Sequence, residues 1–174
     1  MYFVVNTISK KEDEIIDRIN RGVDKSFFSD IFVVKRKRLR KKENKWLTYE
    51  ERLFPGYIFV ETNTPKEFAT QLRKIEGFKK LVGTGGIGYM TYVPLSINEE
   101  NMINSLIGKE KKTIELSYIK IDEGKNVKIL SGPLKGYEGK IIKYNLHKRV
   151  ALVSIPFAGR ETIAQVGIDI IREN

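Results

Sequence analysis

The chain has 174 residues, of which 41% are hydrophobic and 31% charged, a balance typical of a globular domain. No apolar run approaches the ~18 residues of a membrane span, no signal-peptide core opens the chain, and the lack of cysteine excludes disulfides and thiolate chemistry. The formal net charge of +10 favours a polyanionic partner, most often nucleic acid. We expect a cytoplasmic protein without a membrane partner.

The N-terminal segment is predicted to form a strand followed by a helix. The apolar run 2–6 indicates a strand that is buried on both faces. Ser9 and Glu12 have the spacing of a capping box. The isoleucines behind them lie on one helical face and predict a helix that ends near Gly22.

The stretch 54–60 is predicted to be the central strand of this part of the chain, because a Pro-Gly corner precedes a run of aromatic and β-branched residues. Side chains alternate along a strand, so we expect Ile58 and Val60 to point into the domain. Tyr57 and Phe59 would then point outward. Two exposed aromatic side chains on one face indicate a binding surface.

A second predicted strand, 31–34, continues directly into a basic segment. Seven of the eight residues 35–42 are basic and Leu39 is the only apolar one, so we expect an exposed arm and no core element. Asn44 suits a turn that leads back through 46–49. A solvated hairpin is one interpretation. An arm that contacts phosphates is the other, and the mutual repulsion of the charges favours it. The basic residues are Lys35, Arg36, Lys37, Arg38, Arg40, Lys41 and Lys42.

Two further helices and a glycine-rich loop are predicted before the end of the first domain. Pro65 suits the first turn of one helix, and Ser96 with Glu99 forms a second capping box before the other. A short strand is expected at 78–82. The loop 83–88 lacks the Lys-Ser/Thr ending of a P-loop and the spacing Gly-x-Gly-x-x-Gly. We interpret it as a flexible connection, with a nucleotide-binding enzyme as the alternative.

The C-terminal part has a different composition. Residues 108–118 are rich in Lys, Glu and Thr and are interpreted as a linker, whereas 119–174 contain short strands and tight turns typical of a small β-barrel. The single histidine, His147, has no neighbouring carboxylate or hydroxyl for a catalytic relay. No Asp/Glu/His cluster has metal-ligand spacing. We therefore expect no enzyme, no cofactor and no metal site.

A basic turn between two strands of the predicted barrel is a second candidate site. Residues 145–149 should project their side chains from one rim, and Tyr144 beside them offers a ring on which a base could stack. An ordinary solvated hairpin tip is the alternative. The candidate RNA-binding residues are Lys135, Lys140, Lys143, Tyr144, Asn145, His147, Lys148, Arg149 and Arg160.

Three stretches, in this order, resemble the NusG family of transcription elongation factors. Phe-Pro-Gly-Tyr-Ile-Phe-Val at 54–60 looks like that family's N-terminal signature. Residues 127–149, with Gly-Pro-Leu-Lys-Gly, look like its KOW motif, and Phe-Ala-Gly-Arg-Glu at 157–161 is similar to the Phe-Gly-Arg stretch that follows. The resemblance implies an α+β fold. An N-terminal NGN domain, an antiparallel sheet flanked by helices, would be joined by the linker to a C-terminal KOW β-barrel, with boundaries at 1–107, 108–118 and 119–174.

The resemblance also implies partners. Members of the family dock their N-terminal domain on the β′ clamp helices of RNA polymerase, bridge the DNA channel and favour the pause-free state. We expect a monomer that binds RNA polymerase, with DNA near the upstream fork as a further candidate partner. The residues that match or border the docking pocket by position are Asn6, Phe54, Tyr57, Phe59, Leu81 and Val82.

Departures from the family pattern indicate a subtype. Tyr2 stands where a tryptophan is usual, and Ala158 splits the Phe-Gly-Arg stretch that helps contact Rho or a small-subunit ribosomal protein. The KOW tip carries His147, Lys148 and Arg149, which resembles the specialised LoaP-type antiterminators, whose KOW domain binds an RNA hairpin in a leader transcript. A housekeeping elongation factor, whose KOW domain binds Rho or a ribosomal protein, is the alternative.

Overall fold

A computed structural model of the chain describes residues 1–75 and 91–172. The chain mixes helices and strands, as the α+β prediction requires, and divides into two compact units. Unit 1 comprises Met1–Val33 and Phe54–Glu100; unit 2 comprises Val34–Leu53 and Asn101–Asn174. The helices are α1 (Glu12–Gly22), α2 (Pro65–Arg73) and α3 (Ile97–Leu106) within the described ranges. The strands there are β1 (Tyr2–Asn6), β2 (Asp30–Phe32), β3 (Lys35–Lys42), β4 (Lys45–Arg52), β5 (Tyr57–Glu61), β6 (Thr91–Pro94), β7 (Thr113–Ile114), β8 (Ser117–Ile121), β9 (Val127–Ser131), β10 (Ile141–Asn145), β11 (Val150–Phe157) and β12 (Arg160–Ile170).

Unit 1 is built on an antiparallel sheet with the strand order β2-β5-β1-β6. Strand β5 lies between β1 and β2, which confirms the predicted central strand. Helices α1 and α2 bury their apolar faces in the same core as one face of this sheet, because isoleucine, leucine and phenylalanine recur there at helical spacing. The core cluster contains Phe3, Val5, Ile15, Ile19, Val23, Phe28, Val33, Ile58, Val60, Phe68 and Leu72.

One of the two predicted capping boxes is present and the other is not. The Ser96 amide donates to the Glu99 carboxylate at 2.7 Å, and the Glu99 amide donates back to the Ser96 hydroxyl at 3.3 Å, as predicted. Helix α1 ends at Gly22 as expected, but the box at Ser9 and Glu12 is wrong. The helix begins at Glu12, so Lys11 occupies the N-cap position, and it makes no side-chain hydrogen bond there. The Glu12 carboxylate is buried and accepts from the Gly56 amide instead of from Ser9.

Unit 2 contains the basic segment as one arm of a β-hairpin. Strand β3 pairs with β4 in antiparallel register from Lys35 opposite Arg52 to Lys42 opposite Lys45. The two residues between the arms, Glu43 and Asn44, have φ angles of 49° and 61°. Positive φ at both positions is the geometry of a type I′ turn, whose twist matches that of the strands it joins. The predicted turn at Asn44 is confirmed.

Strands β8 to β12 of unit 2 form a five-stranded sheet with the order β10-β11-β12-β8-β9. Closure of these strands into a barrel stays a prediction. Residues 108–118, interpreted from sequence as a linker, hold β7 and the beginning of β8, and β7 pairs in parallel with β3. The division into units does not follow the predicted domain boundaries at 1–107, 108–118 and 119–174, which stay predictions.

The β3–β4 hairpin packs directly against the five-stranded sheet. A Cβ atom added at Gly167, in the middle of β12, would lie 2.2 Å from the Lys37 carbonyl oxygen and 3.2 Å from the Arg38 Cα. Leu39 is buried. The expectation of an arm without core contacts is therefore wrong, because a glycine on a distant strand leaves room for its backbone.

Candidate functional site

The Pro-Gly corner before β5 is fixed by one close backbone approach and two hydrogen bonds. Gly56 has a φ of 83°, and a Cβ there would lie 2.9 Å from the Thr7 carbonyl oxygen, so the position requires glycine. The Thr7 amide donates to the Gly56 carbonyl at 2.7 Å. From the other side, the Gly56 amide donates to a carboxylate oxygen of the buried Glu12 at 2.7 Å. Helix α1 thus positions the beginning of the signature strand.

We expect Glu12→Ala to lower the free energy of unfolding by about 1–3 kcal/mol, because it leaves the buried Gly56 amide without its acceptor. The matched control is Asp17→Ala, an acidic residue on the exposed face of the same helix, for which we expect a change within about 0.5 kcal/mol. Urea denaturation of the two variants checks the difference. Equal stability of both would show that the contact does not hold the corner.

The side chains of β5 alternate between the two faces of the sheet as predicted, but the exposure expected for the second face is wrong. Ile58 and Val60 belong to the helix-covered core. Phe59 faces the other way and is nevertheless fully buried, with its ring stacked on Phe32 at 5.5 Å and edge-on to Tyr2 at 6.5 Å. The prediction that Phe59 is an exposed aromatic is therefore wrong. The second face of the sheet carries aromatic side chains from three strands and is buried as well.

The predicted docking surface around 54–60 has fewer accessible side chains than the sequence predicts. Phe54 is buried and its ring lies 6.2 Å from that of Phe59. Tyr57 and Asn6 are half-buried and stand opposite each other in the β1–β5 register. Leu81 and Val82 lie outside the described residues, as do the predicted strand 78–82 and the loop 83–88.

Three of the seven basic side chains of β3 hold unit 2 together instead of projecting into solvent. Arg36 donates to Glu51 at 2.9 Å and to the Gln165 carbonyl at 2.8 Å. Arg38 donates to the same carboxylate at 3.0 Å, and Lys37 donates to Glu115 at 2.6 Å. This corrects the expectation of a fully exposed arm.

The surroundings of these side chains displace their pKa values in opposite directions. Burial lowers the pKa of Arg36, and the charge of Glu51 offsets part of that effect. The hydrogen bond that the Lys37 ammonium donates to Glu115 raises the pKa of Lys37. The exposed members of the arm are Lys35, Arg40, Lys41 and Lys42.

The turn between β10 and β11 presents two of its predicted cations and buries the third. The Asn145 side chain accepts from the Lys148 amide at 3.0 Å and shapes the turn, and His147 and Lys148 are exposed. Arg149 is buried, with its guanidinium 4.8 Å from the Trp46 ring centroid and 3.7 Å from the Asp169 carboxylate. The prediction that Arg149 projects with its neighbours is wrong, since it joins the turn to β4.

The other candidate RNA-binding residues are spread along the sheet. Lys135 donates to the Ile129 carbonyl at 3.0 Å, and Lys140 and Lys143 are exposed. Burial raises the pKa of Tyr144, and Glu138 contributes to the same shift. Arg160 pairs with Phe157 at the far end of β11, about 23 Å along the strand from the turn. It does not extend the patch at the turn.

The structure brings together the two basic segments that the sequence analysis treated separately. A groove of about 470 Å³ runs between the β3–β4 hairpin and the β10–β11 turn, both in unit 2. Sequence reasoning missed the aromatic residues in it, since Trp46 and Tyr49 were assigned only to the returning strand. The lining residues are Arg38, Leu39, Arg40, Lys41, Trp46, Tyr49, His147 and Lys148.

Other site types find no support among the described residues. No helix in residues 1–75 and 91–172 is long and apolar enough to cross a membrane. In the same ranges, no three His, Asp or Glu side chains are grouped so that they could hold a metal ion.

Comparison with known proteins defines the class of this chain as a transcription termination/antitermination factor. Residues 1–107 match the family model described as "Transcription termination factor nusG", and residues 123–155 match the KOW motif. The first match covers more than half of the chain, so the chain belongs to the NusG family. Factors of this family are generally non-enzymatic.

Individual relatives agree with the family match. The chain is 26% identical over 176 residues to the "Transcription termination/antitermination protein NusG" of Staphylococcus aureus strain Mu50 / ATCC 700699, covering 99% of this chain and 94% of that protein. The protein of the same description from strain N315 gives the same values. A solved structure described as "Domain interaction in Thermotoga maritima NusG" has 24% identity and a TM-score of 0.51, covering 95% of this chain and 92% of that one. This likeness concerns the fold.

Proposed function

We propose that this NusG-type factor is a processive antiterminator that binds RNA polymerase through its N-terminal domain and a leader RNA hairpin through its KOW domain, with the β3–β4 hairpin contributing to the RNA surface. The observation that carries the RNA part is the groove, where cations of the β3–β4 hairpin and of the β10–β11 turn converge. A hairpin RNA carries phosphates on both sides of its stem, so two cationic segments on one surface can contact it together.

The polymerase part rests on the signature strand and the family. NusG family factors bind RNA polymerase, and we place the contact with the β′ clamp helices at the accessible pair Asn6 and Tyr57. Phe54 and Phe59 support this surface from below, since both are buried. Leu81 and Val82, which border the docking pocket by sequence position, are proposed as further contacts. A factor that bridges a cleft stabilises its closed state by binding that state more tightly.

The proposal also includes the partners and oligomeric state expected from the sequence. The exposed cations Lys35 and Lys42 suit DNA near the upstream fork as a further contact. The factor acts as a monomer. We place the polymerase-binding domain at 1–107 and the KOW domain at 119–174.

Two variants of the full-length protein test the two halves of the proposal. Tyr57→Ala is expected to abolish terminator readthrough with purified polymerase while hairpin RNA binding is retained. The double variant His147→Ala with Lys148→Ala is expected to lose hairpin binding, with a salt slope reduced by about 0.7–0.9 for each lost phosphate contact. Binding is measured by titration of labelled hairpin RNA at several salt concentrations.

The matched control is Lys128→Ala, which removes an exposed lysine from β9 at the other edge of the five-stranded sheet. RNA affinity that falls equally in Lys128→Ala would indicate general charge attraction and contradict a site at the turn. Readthrough that survives Tyr57→Ala would contradict the proposed polymerase contact.

A housekeeping factor whose KOW domain binds Rho or a ribosomal protein is the second candidate. It is favoured by two exposed isoleucines on the five-stranded sheet, Ile142 at 57% and Ile163 at 61% exposure. Apolar side chains in such positions suit a protein partner. Capture of a small-subunit ribosomal protein by the wild type, lost in Ile163→Ser and retained in the turn double variant, would support this candidate over the first.

A further inference from the structure

We propose that the groove between the β3–β4 hairpin and the β10–β11 turn binds one unpaired nucleotide, with the base stacked on Trp46 and the phosphate held by Lys41 and Lys148. This inference rests on the proposed RNA-binding function and makes it specific. It assigns a ligand class to Trp46, to which the family resemblance gives no role.

The charge of the groove selects an anion. Its eight lining residues include four cationic side chains and no carboxylate. Arg38 is paired with Glu51, and Arg40 lies over the Tyr49 ring at 5.4 Å. Lys41 and Lys148 are exposed and have no ion-pair partner among the residues that the structure describes. These two ammonium groups, one from each wall, are therefore the ones available to a phosphate.

The aromatic side chains of the groove add a surface for a base beside the cations that hold a phosphate. Trp46 keeps 36% of its surface exposed although it lines the groove. Its ring is held by the buried guanidinium of Arg149, which lies 4.8 Å from the centroid and is anchored by Asp169 at 3.7 Å. An indole that is fixed in orientation but open to solvent is a stacking platform, since every base offers a flat apolar face. His147 adds a second exposed ring.

The dimensions of the groove favour an unpaired nucleotide over a duplex. Its volume of about 470 Å³ lies within the ~300–1,000 Å³ usual for small-molecule pockets. In a duplex each base is covered by its neighbours, so a side chain can stack only on a base that has left the helix. We therefore expect the nucleotide to come from the loop, a bulge or the single-stranded flank of a hairpin.

The tryptophan provides a direct reporter, because the chain contains one tryptophan only. We expect a hairpin RNA with an adenine-rich loop to quench the intrinsic fluorescence of the full-length protein. A blunt duplex of the same stem should bind through its phosphates without quenching. Inorganic polyphosphate, which has charge and no base, should likewise leave the fluorescence unchanged, and so should poly-glutamate, which represents an acidic protein partner.

Substitutions at Trp46 supply the second measurement. Trp46→Ala is expected to lower the affinity of the protein for the looped hairpin by about 5- to 150-fold, the usual loss of one aromatic–base stack. Its affinity for the blunt duplex should stay unchanged. Trp46→Phe keeps a ring and should restore most of the affinity. Trp46→Leu, which keeps apolar bulk beside Arg149 but offers no aromatic face, should not restore it, and this comparison separates stacking from mere support of Arg149.

The outcomes distinguish the inference from the function on which it rests. RNA binding that depends on His147 and Lys148 but shows neither quenching nor a Trp46 effect would overturn the nucleotide site and leave the proposed function standing. Equal quenching by poly-glutamate would overturn it in favour of an acidic protein partner. Failure of the wild type to bind either RNA would overturn both.

Discussion

Replacement of Phe59 by alanine is expected to lower the free energy of unfolding of unit 1 by about 3–5 kcal/mol. The side chain is fully buried and packs against the rings of Phe32, Tyr2 and Phe54. Its removal takes away a large apolar surface and leaves a cavity among these rings, which close it only partly. The loss would be a large part of the stability of an ordinary domain.

Urea denaturation followed by helical circular dichroism measures this effect, because α1 and α2 belong to the same unit. Tyr57→Ala is the comparison, since Tyr57 lies two residues away on the same face and is only half-buried. We expect Tyr57→Ala to lower the free energy of unfolding clearly less than Phe59→Ala does and to weaken polymerase binding. A Phe59→Ala variant as stable as Tyr57→Ala would contradict the buried position of Phe59. A transcription defect in Phe59→Ala is accordingly no evidence for a direct polymerase contact.

Replacement of Gly167 by valine is expected to separate the β3–β4 hairpin from β12 and to remove high-affinity RNA binding. The first added carbon would lie 2.2 Å from the Lys37 carbonyl oxygen, which is a backbone atom and cannot rotate away. Overpacking of this kind costs about 1–3 kcal/mol. Because one wall of the groove is the hairpin, its displacement moves Lys41 and Trp46 away from Lys148.

The control is Gly139→Ala, because nothing lies within 4 Å of a Cβ added there. Amide hydrogen exchange should show faster exchange in 35–52 for Gly167→Val and wild-type exchange for Gly139→Ala. Hairpin RNA titration should show the loss of high-affinity binding in the first variant only. Unchanged exchange and affinity in Gly167→Val would mean that the hairpin does not rest on β12.

Most features that depend on neighbouring residues were predicted correctly from the sequence, the capping box at Ser9 excepted. Strand β1, the central strand β5, the end of α1 and the capping box at Ser96 each depend on residues a few positions apart. Such patterns are readable because the chemistry of turns and caps is local.

Features that depend on distant residues were missed or wrong. Glu12 satisfies a Gly56 amide 44 positions away, and no local pattern reveals such a partner. Phe59 alternates as predicted, but its exposure depends on what covers the second face of the sheet. Arg149 and Trp46 acquire their roles only because two basic segments meet, which the spacing of charges in a single sequence does not indicate.

The connection between Arg36 and Gln165 has a consequence for the synthesis of the protein. The two residues are 129 positions apart. At a translation rate of roughly 5–20 residues per second, the β3–β4 hairpin waits on the order of 6–26 seconds before β12 is available to receive it. During that time Arg36 lacks the Gln165 carbonyl, and for the first part of it Lys37 lacks Glu115. A nascent chain stalled before β12 would therefore carry an undocked, strongly basic hairpin, and the groove would come into existence only with the arrival of that strand.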